Sequence, residues 1–461
     1  MIALFFKVLL IICCFCMLTL KREYKPAVFL FGYAVLSEIS LPLPMGNTVF
    51  FLPIFYIFTE GLKFKDMIKT FRIKELVLAL IVFLILFLYT YANSPHYWGS
   101  VKQFVTLLFR ECITTYFILV VGFYSLKNEN TFRPLLRVAF ISLVILTLFG
   151  LINYVTKEST MLDWMTGHAV KRNIGVGGLF SMDDRFRTQS LFIQPFDYGY
   201  MCIILLLVHV YGYTRNLVKR RRLYIVILMA LFGIITCGCR TVLFCFIFGA
   251  LTYAFFYLRG NRVPIYIGST LLVLVGLYQF SPYFREKSDF VLSVFSKGDE
   301  NSYGGSTIEM RVIQFARVLY YIDGHYWTGR GYDFFWIDLQ FSAGQQYALD
   351  PELLGLEGVH LKYLLERGII GYGLYLLFYI LLLSYLYRHR KSNREEAAAA
   401  LALLVIYLTF AHMTGELKSL TPTMLVLGMF LRMIQNESWK YIQSKQKEFD
   451  DKNRYRYRQL S

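Results

Sequence analysis

An all-α, polytopic integral membrane protein is the fold class the sequence predicts, and three observations predict it. Apolar residues fill 56% of the 461 positions and charged ones only 17%. Mean hydropathy is +0.48. The charges fall between long apolar runs instead of spreading along one face of every helix. Such a composition does not cover a water-exposed surface, which excludes the soluble-enzyme classes. A formal charge of +17 would suit nucleic acid, but the basic residues cluster where a membrane protein needs cytoplasmic anchors, so no nucleic-acid partner is expected.

A spanning helix needs about 20 predominantly apolar residues. On that template the spans fall near 2–20, 27–43, 46–62, 75–92, 102–124, 137–156, 196–213, 223–238, 241–258, 263–281, 358–386, 397–412 and 420–434. The prediction is about 13 spans, within a range of 12–14. Residues 2–20 read as the first span and not as a cleaved leader, because the basic cluster follows the apolar core and no small-x-small site is evident. Pro42, Pro44 and Pro53 interrupt the run at 26–62 and allow a broken hairpin there.

Orientation follows from lysine and arginine. With the C-terminus cytoplasmic, the inside segments hold 30 of the 48 basic residues, whereas the short outside loops hold only Lys102, Arg240 and Lys418. The chain then divides into N-terminal spans (1–156), an extracytoplasmic loop (157–195), central spans (196–281), a large extracytoplasmic cap (282–357), C-terminal spans (358–434) and a basic cytoplasmic tail (435–461). The cap carries 16 aromatics, Trp327 and Trp336 among them, enough apolar area to fold down onto the membrane face. Within it, 306–322 has helical periodicity, with Thr307, Arg311, Gln314 and Arg317 on the polar side.

Several features are better read as packing or loop than as chemistry. Most of the eight cysteines lie inside apolar stretches as small hydrophobes, and Cys237 and Cys239 lack partners for a zinc site. Asp183–Asp184 is the nearest thing to a metal-binding acidic pair in an outer loop, and its ordinary reading is a solvated loop, so metal independence and no cofactor are expected. Gly175, Gly177 and Gly178 lack the strand and helix that a phosphate loop requires.

Charge inside spans is costly, and it marks two places. Arg110 and Glu111 sit near the middle of the fifth span; neighbours on a helix do not face each other, so Arg110 needs a partner elsewhere, such as Glu38 or a lipid phosphate. The outer end of the 358–386 span brings His360, Lys362, Glu366 and Arg367 into the bilayer. Glu366 lies about 9 Å along the helix from His360, near enough for both to line one cavity; the alternative is interfacial side chains snorkelling to headgroups.

This second segment resembles the C-terminal part of the bacterial O-antigen ligase and O-antigen polymerase superfamily, in which a histidine starts a span and a Glu-x-Gly-(Ile/Leu)-x-Gly pattern follows; Glu366, Gly368 and Gly371 fit it. Cys239-Arg240-Thr241 is similar to the family's Ser-Arg-Thr at a span start, and Thr328-Gly329-Arg330-Gly331-Tyr332 to its Gly-x-Gly-Tyr turn. Arg311 stands upstream of that turn as a family arginine does, and Arg187 through Phe196 resembles the stretch that ends in Asn-Pro-Asn. The likeness covers roughly 180–435, with departures at Leu361 (often Asn), Cys239 (Ser) and Phe196 (Asn).

The resemblance implies a polysaccharide polymerase of the bacterial inner membrane, with a periplasmic active site. An acceptor hydroxyl of one lipid-linked repeat unit would attack the anomeric carbon of a glycan on undecaprenyl diphosphate. Such a site needs fixed cations for the diphosphate, for which Arg187, Arg240, Arg311 and Arg330 stand on the expected face. It also needs a base or orienting group, for which His360 and then Glu366 are candidates. A chain-length regulator and membrane lipids are the implied partners. Two alternatives stay open: a ligase that delivers the glycan to lipid A-core, and a lipid-linked sugar transporter or flippase. The latter favours internal repeats, and none is found.

Overall fold

The computed structural model describes residues 2–39, 48–61, 73–126, 131–158, 187–258, 308–341, 348–353, 356, 358–415 and 420–436, with isolated positions at 268, 278, 279, 285 and 289. The described residues are helical and contain no strand. In chain order the helices are α1 (Ile2–Thr19), α2 (Lys25–Leu36), α3 (Thr48–Gly61), α4 (Lys74–Ala92), α5 (Val101–Ser125) and α6 (Phe132–Thr156). There follow α7 (Pro195–Thr214), α8 (Arg220–Thr236), α9 (Arg240–Tyr257), α10 (Ile308–Tyr321), the single turn α11 (Phe334–Ile337), α12 (Val359–His389), α13 (Arg394–Thr414) and α14 (420–436). Seven of them, α4 to α7, α9, α12 and α13, are long and apolar enough to cross a membrane. The expected span at 263–281 lies almost wholly outside the described residues, as do Pro42 and Pro44.

Local chemistry sets the boundaries. Proline opens α7 at its first helical position, where no N–H is needed, and Ser100 caps α5 by accepting from the Gln103 amide at 3.4 Å. Gly415, with φ 68°, stops α13 in the left-handed conformation that lacks a steric cost only for glycine. Helix packing relies on small residues, as expected where lipid removes the hydrophobic drive between helices. A Cβ on Gly428 of α14 would lie 2.1 Å from the Leu119 carbonyl oxygen of α5, so those backbones touch. The alanine run 397–400 of α13 is fully buried in the same way.

The bundle has two distinct ends. At one, α9 finishes beside the start of α13, where Arg394 Nε donates to the Phe256 carbonyl at 3.0 Å, and α12 finishes beside the start of α4, where Arg388 pairs with Glu75 at 2.7 Å. At the other, the Phe196 and Tyr200 rings of α7 meet Phe410 of α13, and His360 in the first turn of α12 lies beside His412. Helix α10, from the 282–357 segment called the cap from here on, sits at this second end, where Arg311 Nη2 donates to the Met413 carbonyl at 3.0 Å.

Two spans depart from the regular helices that the apolar runs suggest. Residues Leu108–Tyr116 of α5 are wound as a π-helix, and α12 is broken at Gly368, whose φ 63° and ψ −167° are open to glycine alone. Both irregularities lie where the cap enters the bundle.

Candidate active site

The break in α12 frees backbone groups that a bilayer would leave unsatisfied, and the cap supplies their partners. Arg330 and Gly331 donate their amides to the Leu365 and Glu366 carbonyls, each at 2.9 Å. In return Ile369 and Ile370 donate to the carbonyls of Tyr326 and Trp327 at 2.9 and 3.3 Å. Tyr89 of α4 closes the edge by donating to the Trp327 carbonyl at 2.8 Å. The segments resembling the Gly-x-Gly-Tyr turn and the Glu-x-Gly pattern are therefore two sides of one backbone interface.

Beneath that interface lies a cluster of buried charge. Arg367 Nη2 pairs with Glu111 Oε2 at 2.6 Å, both nearly inaccessible, and the Tyr332 hydroxyl donates to Glu111 Oε1 at 2.7 Å. Burial first, and then the Glu111 charge, hold the Tyr332 phenol well above its ordinary pKa, so it remains a donor. The Tyr332 ring has the guanidinium of Arg367 5.3 Å and that of Arg110 5.4 Å from its centroid. Arg110 Nη1 pairs with Asp333 Oδ2 at 2.9 Å, and Tyr97 donates to the same oxygen at 2.5 Å. Among the described residues the partner of Arg110 is thus Asp333 of the cap, where the sequence suggests Glu38 or a lipid phosphate. Both Arg110 and Glu111, neighbours within the π-helical stretch, reach residues of the cap.

Glu366 belongs to this cluster more than to His360. Its side chain is buried, its backbone carbonyl accepts from Gly331, and Oε1 has no hydrogen-bond partner among the described residues. Its charged neighbours are Lys362, Arg367, Asp333 and Glu111.

His360 forms a second constellation at the bundle end. Its ring stacks on that of His412 with centroids 5.7 Å apart and planes 10° from parallel. His412 Nδ1 must carry a proton, because it lies 2.8 Å from the Leu408 carbonyl, which can only accept; the other nitrogen lies 3.2 Å from the Tyr372 hydroxyl. His360 Nδ1 is buried with no hydrogen-bond partner among the described residues. Arg311 of α10 lies within electrostatic range of the His360 ring.

The remaining sequence-predicted arginines divide. Arg187 lies across Gly238, where a Cβ would sit 3.3 Å from its Cγ, and Thr188 donates to the Thr236 carbonyl at 3.0 Å. That contact places Arg187 beside the turn from which Arg240 starts α9, and both are half-buried. Arg330 instead donates through Nε to the Tyr321 carbonyl, capping the last turn of α10. Asp183–Asp184 and the glycines at 175, 177 and 178 lie outside the described residues.

Sequence reasoning missed Arg367, Asp333, Tyr97 and His412 as members of these constellations. The available signal was charge inside predicted spans: Arg367 and Glu111 are opposite in sign and each requires a partner. Asp333 and Tyr97 gave none, since both sit in connecting segments. Set against known proteins, the chain matches no family model and no curated sequence.

Proposed function

We propose that this chain is a surface-polysaccharide polymerase, a membrane glycosyltransferase acting on undecaprenyl-diphosphate-linked glycans at the outer face of the bacterial inner membrane. The observation that carries this reading is the meeting, at one bundle end, of His360 with His412 and Arg311, while Arg187 joins the turn that opens α9 at Arg240. The resemblance of these segments to O-antigen polymerases and ligases supplies the reaction class.

The chemistry follows from the side chains. The acceptor hydroxyl attacks the anomeric carbon, the bond to the diphosphate oxygen breaks, and the lipid diphosphate leaves with the electron pair. His360 takes or orients the hydroxyl proton, as a titratable imidazole at this end of the bundle. The arginines hold the departing diphosphate through forked donors of permanent charge. The buried Glu111–Arg367 pair and Tyr332 fix the cap, and with it α10 and Arg311, against the spans. About 13 spans with a cytoplasmic C-terminus complete the reading, because that orientation sets the basic segments inside.

The test is purified protein with a defined lipid-linked repeat unit in the presence of EDTA. A ladder of lengthened lipid-linked glycans is expected. Transfer only when lipid A-core is added would assign a ligase, and a requirement for magnesium would contradict the arginine-based mechanism.

A further inference from the structure

The cap helix α10 is amphipathic in the reverse of the usual sense. Its inward arc carries Arg311, Gln314, Arg317, Val318 and Tyr321, with Gln314 and Val318 fully buried. Its outward arc, nearly half of the circumference, is Val312, Ile313, Phe315, Ala316, Leu319 and Tyr320, uncharged from 312 onward; Glu309, in the first turn of the helix, falls on the same arc. Val312 is 61% and Tyr320 68% exposed. A helix washed by water turns such an arc inward. Here the inward side packs Val318 into an apolar cluster with Leu361 and Leu365 of α12, and polar contacts hold it too: Arg311 to Met413 of α13, and Arg317 to Asp350 and Glu352 of the cap.

The exposed arc does not stand alone. After α10 the chain reaches Tyr326 and Trp327, both exposed, whose carbonyls accept from Ile369 and Ile370. Those two isoleucines are exposed on the membrane-length helix α12. The aromatic patch of the cap is therefore continuous with the outer surface of a span, which in a bilayer faces lipid. Tryptophan and tyrosine at such a junction belong at headgroup level.

We propose that α10 lies in the membrane–water interface at the His360 end of the bundle, with Val312, Phe315, Leu319 and Tyr320 in the lipid and Arg311 turned inward. A lipid surface, not a protein partner, covers this face. The assignment stands on burial and continuity and is independent of the glycan chemistry.

The experiment places the photo-crosslinking residue p-benzoylphenylalanine at position 315 of the full chain, in nanodiscs of phosphatidylethanolamine and phosphatidylglycerol. Position 370 serves as the reference for a lipid-facing site on a span. On irradiation, phospholipid adducts are expected on the peptide containing position 315, at a yield within about twofold of that at position 370. A crosslinked species of twice the chain mass, or no adduct at 315 while 370 is labelled, overturns the proposal. Positions 312 and 320, on the same arc, give the same reading should the change at 315 prevent insertion.

Discussion

Gly329 of the cap seats its backbone against Gly368 in the break of α12, so closely that a Cβ on Gly329 would lie 2.6 Å from the Gly368 nitrogen. The approach is mutual, for a Cβ on Gly368 would lie 2.5 Å from the Trp327 carbonyl oxygen. Both glycines also hold positive φ, 70° and 63°. Two conditions, space and conformation, thus coincide at each position. Gly329→Ala and Gly368→Ala are each expected to cost more than the roughly 1–3 kcal/mol of backbone strain alone, because the added methyl also collides with backbone. Thermal unfolding in detergent should show a markedly lower apparent Tm for both, and wild-type stability would refute the docking.

The Glu111–Arg367 pair gives a second expectation. Removing one partner of a buried ion pair typically costs about 3–5 kcal/mol, because the other charge is left uncompensated. Glu111→Gln and Arg367→Met should each destabilise strongly, while the double variant should lose much less than the sum of the two. Additive losses in apparent Tm would show that the two side chains do not interact.

How far the fold was legible follows from these residues. Apolar runs locate helices because the bilayer demands about 20 apolar residues per span, and the described helices fall on the expected segments. The break at Gly368 was legible only as a glycine in a family-like pattern, since periodicity does not record a φ angle. Pairing of Glu111 with Arg367, 256 positions apart, lies beyond local spacing. Periodicity identified α10 as amphipathic but not which arc faces the protein, because beside a membrane the apolar arc need not be the buried one. His360 was legible as a titratable group at a span end; its companion His412, on another span, was not.

Topology offers a third check. The distribution of lysine and arginine predicts that a reporter fused after Ser461 reads as cytoplasmic and that one inserted at Gly304 reads as external. Activity of an externally active reporter at Ser461 would invert the map and move the His360 end to the wrong face.

If the arginines and His360 act on the lipid diphosphate and the acceptor, their replacement shortens the glycan product. The test is the product ladder from a defined lipid-linked repeat unit, compared at matched protein levels between wild type, His360→Ala, Arg240→Lys and Arg311→Lys. Loss of a general base typically lowers turnover on the order of 10²- to 10⁴-fold, which is the expectation for His360→Ala. The two lysine variants should also be impaired, since a compact ammonium keeps the charge but loses the bidentate fork. Wild-type ladders from all three variants would remove these residues from the reaction.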